Sequence, residues 1–215
     1  MLGKQEKKRR YLSSPYALYG ERVPSAGQWR SQLGFQPGVP LLLEIGCGKG
    51  DFAVYVAERY PHFLVVGLDR RADRLAAGCH WASEKNLKNV FFWHGDALTL
   101  EAHFSPGEVY ELWLNYPDPY PKRRHEKHRL THPRFLRLYY HVLAPTGRLH
   151  LRTDDEALYQ YSLEQLQTAG WKVVLATPDL LPQEGPEEAH FETEFRRRKG
   201  GTIHYIQAHH PLTTE

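Results

Sequence analysis

Short apolar runs recur along this chain, and several of them lead into a glycine or an acid within three residues. Leu41–Ile45, Phe63–Leu68, Val90–Trp93, Val109–Leu114, Arg148–Arg152 and Trp171–Ala176 all have strand length. Amphipathic stretches of helical period lie between them. Residues 51–59 group Phe52, Val56 and Ala57, and residues 71–85 group Leu75, Ala76, Cys79 and Ala82 on one face. Residues 133–143 and 156–169 read as further helices, the second closed by Gly170, and Ile203–Ala208 reads as a last strand. Strands joined by helix-length crossovers predict a doubly wound α/β sheet, mostly parallel, with helices on both faces and the last strand antiparallel.

Length and cysteine content narrow the class. The 215 residues suit one large domain. No apolar run approaches the ~18–20 residues of a membrane-spanning helix. The basic N-terminus is not followed by an apolar segment, so no secretory signal is read there. Cys47 and Cys79 are too few for a disulfide framework or a Cys-rich zinc site, and a reducing, cytoplasmic setting is expected. Residues 1–36 show no clear period and include a Pro/Ser/Gly-rich stretch. They are expected to form a basic arm, mobile without its partner, ahead of a single domain over 37–215.

The net charge of +3 hides an uneven distribution. Residues 1–10, 122–137 and 196–199 hold 16 of the 28 basic residues and 2 of the 25 acidic ones. The other 185 residues are left with 12 basic and 23 acidic groups. An acidic body carrying three basic segments points to a polyanionic partner met at particular places.

In a doubly wound sheet, ligands bind outside the carboxyl ends of the strands. Glu44, Asp69, Asp96 and Asp118 all fall at or just beyond predicted strand ends. The Gly46-Cys47-Gly48-Lys49-Gly50 loop lets a ligand approach the backbone, with Gly46 and Gly48 nearest. Its spacing departs from the dinucleotide-binding fingerprint. Glu44, two residues ahead, puts negative charge where a pyrophosphate would lie and suits a cationic ligand, such as the amino-acid end of S-adenosylmethionine. Asp69 is placed for ribose hydroxyls and Asp96 for the exocyclic amine of an adenine. The run from Asn115 to His125, with three prolines around Asp118, frames one carboxylate rigidly and then becomes densely basic.

These motifs carry a resemblance to a known family. Glu44 to Gly50, Asn115 to Arg124 and Thr153-Asp154 resemble the bacterial tRNA guanine-N7 methyltransferases, over roughly residues 40–200. The resemblance implies a Rossmann-like methyltransferase sheet, S-adenosylmethionine as methyl donor and tRNA as partner, with methylation at N7 of guanosine 46 in the variable loop. It implies donor contacts at Glu44, Asp69, Asp96 and Asp118, and an active-site role for Asp118. Lys122 and Asp154 are implied at the substrate, and Arg124, His125, Glu126, Lys127, His128 and Arg129 at the RNA. Two departures stand out. Asp69 replaces the family's usual Glu. Thr193-Glu194-Phe195-Arg196 has Arg196 where the family's substrate-binding segment ends in a carboxylate, which Glu194 would supply from a shifted position.

Read from the residues alone, three alternatives stay open: an adenine-N6 methyltransferase, a nicotinamide-dependent oxidoreductase, and a non-catalytic RNA-binding module. No metal is expected. His125-Glu126-Lys127-His128 spaces its histidines three apart, whereas the helical zinc-protease signature needs four. Asp155 and Glu156 read as the charged start of the next helix. The sequence leaves open whether the chain acts as a monomer or a homodimer.

Overall fold

A computed structural model describes residues 3–191 and 201–210. The chain runs α1 (Lys4–Leu12), β1 (Ala17–Leu18), α2 (Trp29–Gln32), β2 (Leu41–Ile45), α3 (Asp51–Arg59), β3 (Leu64–Asp69), α4 (Ala72–Glu84) and β4 (Val90–His94). It continues through α5 (Leu100–His103), β5 (Val109–Asn115), α6 (Pro133–Val142), β6 (Leu143–Thr153), α7 (Glu156–Thr168), β7 (Lys172–Thr177) and β8 (His204–His209). The strands form one sheet in the order β1-β4-β3-β2-β5-β6-β8-β7. β1 to β6 pair in parallel, while β8 runs antiparallel to both β6 and β7. The mostly parallel, doubly wound sheet with an antiparallel last strand is thus as read from the sequence.

β2 is buried along its whole length, as expected of a strand covered on both faces. One face packs Phe104 of the α5 end, Phe135 and Tyr139 of α6 and Leu166 of α7 against Leu43, Val66, Leu112 and Leu149. The other packs Phe52 and Val56 of α3 and Leu75 and Cys79 of α4 against Leu42, Val65, Phe92 and Trp113. α6 starts on a proline, whose missing N–H costs nothing at the first helical position, and the His132 side chain accepts from Arg134 N at 3.3 Å. From β2 the chain builds outward one way through β3 and β4, then returns to β2's other side with β5. The order therefore reverses between β2 and β5, which opens a crevice at their carboxyl ends.

Two expectations need correction. From residue 3 onward, the segment expected as a mobile arm is packed into the domain. The Tyr11 hydroxyl lies 2.7 Å from Leu18 O and 2.9 Å from Phe92 O, and accepts from His94 N at 3.0 Å. β1 extends the sheet beyond β4, and Trp29 stacks on Phe104 at 4.5 Å. Apart from Leu18, these partners lie 75 to 83 residues away in sequence, so local periodicity carries no trace of them. The second correction concerns β6, which starts at Leu143 rather than Arg148. Its pairing with β5 steps from Val109↔Leu143 to Glu111↔Arg148, so the Pro145-Thr146-Gly147 turn is accommodated as an irregularity within the strand.

One face of the sheet carries a buried polar stripe. Arg148 Nη2 donates to Glu111 Oε1, and His150 Nε2 lies 2.5 Å from Glu111 Oε2. The His150 ring stacks on Trp113 at 4.0 Å, and its Nδ1 is 2.8 Å from the Tyr205 hydroxyl. Burial pushes the Glu111 carboxyl up, but His150 and then Arg148 outweigh it, so the group sits below the usual carboxylate range. A depressed carboxylate stabilises the fold above the ordinary pKa and loses that contribution as pH falls through the lowered value. Glu111→Ala removes the buried acceptor shared by Arg148 and His150 and should cost about 1–3 kcal/mol in urea unfolding at neutral pH. The gap to wild type should narrow in acid. A variant as stable as wild type would show that Glu111 does not brace the sheet.

Candidate active site

The loop after β2 is shaped by left-handed glycines. Gly46, Gly48 and Gly50 have φ of 75°, 62° and 84°, and a Cβ on Gly50 would overlap the Phe92 ring. The Gly46 and Cys47 amides donate to Leu68 O at 2.8 and 3.0 Å, tying the loop to β3. Asp69, at the β3 end, accepts from Gly48 N at 2.9 Å with Oδ2 and from Arg71 N at 2.8 Å with Oδ1. A carboxylate offers about four lone-pair sites, so Asp69 shapes the loop and keeps acceptor capacity for hydroxyls. Asp96, beyond β4, accepts from Leu98 N at 3.0 Å, and its other oxygen is 3.4 Å from Arg70 Nε.

Glu44 lies next to the carboxyl end of β2 and is buried, at 2% exposure. Its Oε1 accepts from Asn115 Nδ2 at 2.9 Å, while Oε2 is buried with no hydrogen-bond partner. Burial pushes the carboxyl up to about 8, against the pull of Asn115 and Arg152. Asn115 Oδ1 in turn accepts from Arg152 Nε at 2.8 Å. Arg152 is itself buried and donates Nη1 to Phe191 O at 2.7 Å and Ala189 O at 3.0 Å. Its guanidinium lies 5.0 to 5.8 Å from the ring centroids of Phe52, Tyr116 and Trp113.

The loop after β5 holds Asp118 in an exposed position. Tyr116 and Tyr120 flank it with φ of 49° and 44°, a conformation that bulky residues adopt only under tertiary constraint. Tyr116 N donates to Arg152 O at 2.8 Å. Arg129 supplies a further brace: Nε donates to Pro119 O at 3.0 Å, Nη2 to Tyr120 O at 3.1 Å, and the guanidinium sits over the Tyr161 ring. Arg129, expected at the RNA, thus directs its donors inward because the proline-rich loop leaves carbonyls in need of partners. Lys122, Arg124 and Lys127 are exposed, while His125, Glu126 and His128 are half-buried along the 3-10 segment Arg123–His128. His128 is held below the usual imidazole range by desolvation, then by the neighbouring Lys127 and Arg134 charges.

Asp154, just past β6, is exposed. Asp155 caps α7 through a 2.7 Å bond from Leu158 N, in line with the helix-start reading. Thr193, Glu194, Phe195 and Arg196 lie outside the described residues, as does the 196–199 basic run. The structure thus gathers Glu44, Gly46, Gly48, Asp69, Asp96, Asp118 and Asp154 along the carboxyl ends of adjacent strands. Sequence reasoning missed Arg152 and did not single out Asn115. A signal existed: Arg148, His150 and Arg152 alternate with Leu149 and Leu151, which marks a polar face on a buried strand.

Comparison with known proteins gives three findings. Residues 39–205 match a family model described as "Putative methyltransferase". The chain is 38% identical to a tRNA (guanine-N(7)-)-methyltransferase of Geobacillus kaustophilus over 86% of its own length and 85% of the relative's. It is 36% identical to one of Levilactobacillus brevis over 90% of each. Among solved structures it is similar in fold to the 16S rRNA methyltransferase KamB, with a TM-score of 0.63 and 21% identity over 89% of this chain and 97% of that one.

The raised Glu44 carboxyl yields a signed prediction. Between the ordinary carboxylate pKa and about 8, the folded chain holds a proton that the unfolded chain has released. Stability therefore falls as pH rises through that window. Glu44→Gln mimics the protonated group, so its melting temperature should climb relative to wild type between about pH 5 and about pH 9. A difference that stays flat with pH would mean that Glu44 is ionised throughout.

Proposed function

The chain belongs to the tRNA (guanine-N(7)-)-methyltransferase family, and we propose that it transfers a methyl group from S-adenosylmethionine to N7 of a guanine in tRNA, guanosine 46 of the variable loop in particular. The observation that carries this reading is the unpartnered, buried Oε2 of Glu44 beside the glycine loop. A buried carboxyl kept neutral by burial leaves room for a cation, and a cationic donor group beside Oε2 would ionise it and pair with it. Left-handed glycines leave room for that group against the backbone. The residues therefore fit the donor, which supplies an electrophilic methyl on a sulfonium.

N7 of guanine keeps a free lone pair, so the carbon–sulfur bond breaks as the carbon–nitrogen bond forms, and no proton has to leave. The chain's work is then alignment and charge placement rather than base catalysis. Asp69 and Asp96 hold the ribose hydroxyls and adenine amine of the donor. Asp118, in its braced loop, orients the guanine and stabilises the positive charge that passes to the purine. Lys122, Asp154 and the Thr193–Arg196 stretch hold the base and its flanking phosphate. Arg124, His125, Lys127 and His128 face the RNA backbone, where contacts set affinity and position more than sequence. Glu126 falls within this RNA-facing stretch, while Arg129 serves it indirectly by propping the Asp118 loop.

Incubation with unmodified tRNA and labelled S-adenosylmethionine, followed by nucleoside analysis, should yield 7-methylguanosine. Changing guanosine 46 to adenosine should abolish the signal. N6-methyladenosine in the digest would overturn the reading. In the same assay, Asp118→Ala should lower turnover by about 10²–10³-fold with tRNA affinity little changed.

Arg124 and Arg129 separate the two kinds of basic residue. Arg124→Ala should weaken tRNA binding and reduce the slope of log affinity against log salt by about 1. Arg129→Ala should keep the slope and lose turnover, since it releases the Pro119–Tyr120 carbonyls. Equal slopes for wild type and Arg124→Ala would take Arg124 off the RNA surface.

A further inference from the structure

The methyl-donor reading gives the buried charge of Arg152 no role. Arg152 lies on β6, two strands from Glu44, and does not touch it. Between them stands Asn115, whose amide has one workable orientation: the carboxylate needs its NH2 and the guanidinium needs its oxygen. On its far side Arg152 holds the carbonyls of Ala189 and Phe191. That segment is pinned from outside as well. Glu187 is 3.0 Å from Arg59 Nη2, and Phe191 stacks on Tyr55 at 4.6 Å. A continuous path of hydrogen bonds, charge-assisted where Arg152 donates, therefore runs from the 187–191 segment to Glu44.

We propose that Arg152 is a positioning residue for the donor carboxylate: it acts through Asn115 to aim Glu44, and it couples the donor side of the site to the 187–191 segment. The inference rests on the methyl-donor reading of Glu44. When Glu44 meets a cationic group it ionises, and the Asn115–Glu44 bond becomes charge-assisted. The amide dipole then strengthens its hold on Arg152, and Arg152 on the two carbonyls. The other groups facing Glu44 are Asp51 at the start of α3, which opposes ionisation, and the buried Cys47 thiol. Among the charged groups that act on Glu44, Arg152 is thus the cation that favours its charged form.

The test measures S-adenosylmethionine affinity by calorimetry from about pH 6 to about pH 9, the window set by the Glu44 carboxyl. The full-length chain is used as wild type, Arg152→Lys, Arg152→Gln and Asn115→Ala, each verified as folded by its melting transition. Wild-type affinity should rise with pH to a plateau. Arg152→Gln keeps hydrogen-bonding capacity but removes the charge, and should move the midpoint upward by about one pH unit. Arg152→Lys keeps the charge and should hold the midpoint, with affinity lowered several-fold throughout because the fork is lost.

Hydrogen exchange supplies the second readout. Donor binding should slow the Ala189 and Phe191 amides in wild type and fail to do so in Asn115→Ala, which stands as the decisive variant if Arg152→Gln does not fold. A wild-type midpoint in Arg152→Gln, or slowed exchange in Asn115→Ala, would overturn the role of Arg152 alone. Absence of donor binding by wild type would remove the methyl-donor reading and this inference with it.

Discussion

Burying the Glu44 carboxylate at the end of a central strand is the constraint around which the site is arranged. A carboxylate in that position must be neutralised, hydrogen-bonded or given a cation. The chain meets part of the demand with Asn115 and leaves one oxygen for a ligand. Asn115 can reach Glu44 because β5 pairs with β2, where the order of the sheet reverses. Arg152 can reach Asn115 because β6 pairs with β5 and sets Asn115 opposite Arg152. Strand order and register thus create a polar path that no single segment contains.

The same sheet face explains how so much charge is tolerated indoors. Glu111, Arg148, His150 and Arg152 lie on neighbouring strands, with aromatic rings stacked over them. Glu111 meets Arg148 and His150, while Arg152 is held by Asn115 and the Ala189 and Phe191 carbonyls, so much of their desolvation is offset by directed contacts. The 187–191 segment covers the upper end and hands its carbonyls to Arg152. Fold stability and donor binding consequently draw on adjacent parts of one network.

Charge on the outside follows a different rule. The acidic body places carboxylates at strand ends, and the cations gather on the segment after Asp118 and on α1. Arg129 shows that composition alone does not sort these cations, because its donors serve the loop rather than solvent. α1 presents Lys4, Lys8, Arg9 and Arg10 on its exposed side, yet Tyr11 roots it in the core. A basic segment can therefore be a built part of the domain and still face a polyanion.

The sequence by itself determined the sheet's type, the positions of β2 to β5, β7 and β8, the acids at the strand ends and the rigid setting of Asp118. Hydrophobic period, glycine spacing and proline placement are local properties, and each of these features follows from one of them. Tertiary structure alone decided that residues 3–36 pack, that Arg129 turns inward and that Asn115 links Glu44 to Arg152. The first and last of those outcomes depend on partners distant in sequence or brought close by strand pairing, and Arg129 depends on how the loop folds back over nine and ten residues. A buried polar group is satisfied only by what the assembled fold places beside it, and that is not written in the residues next to it in the chain.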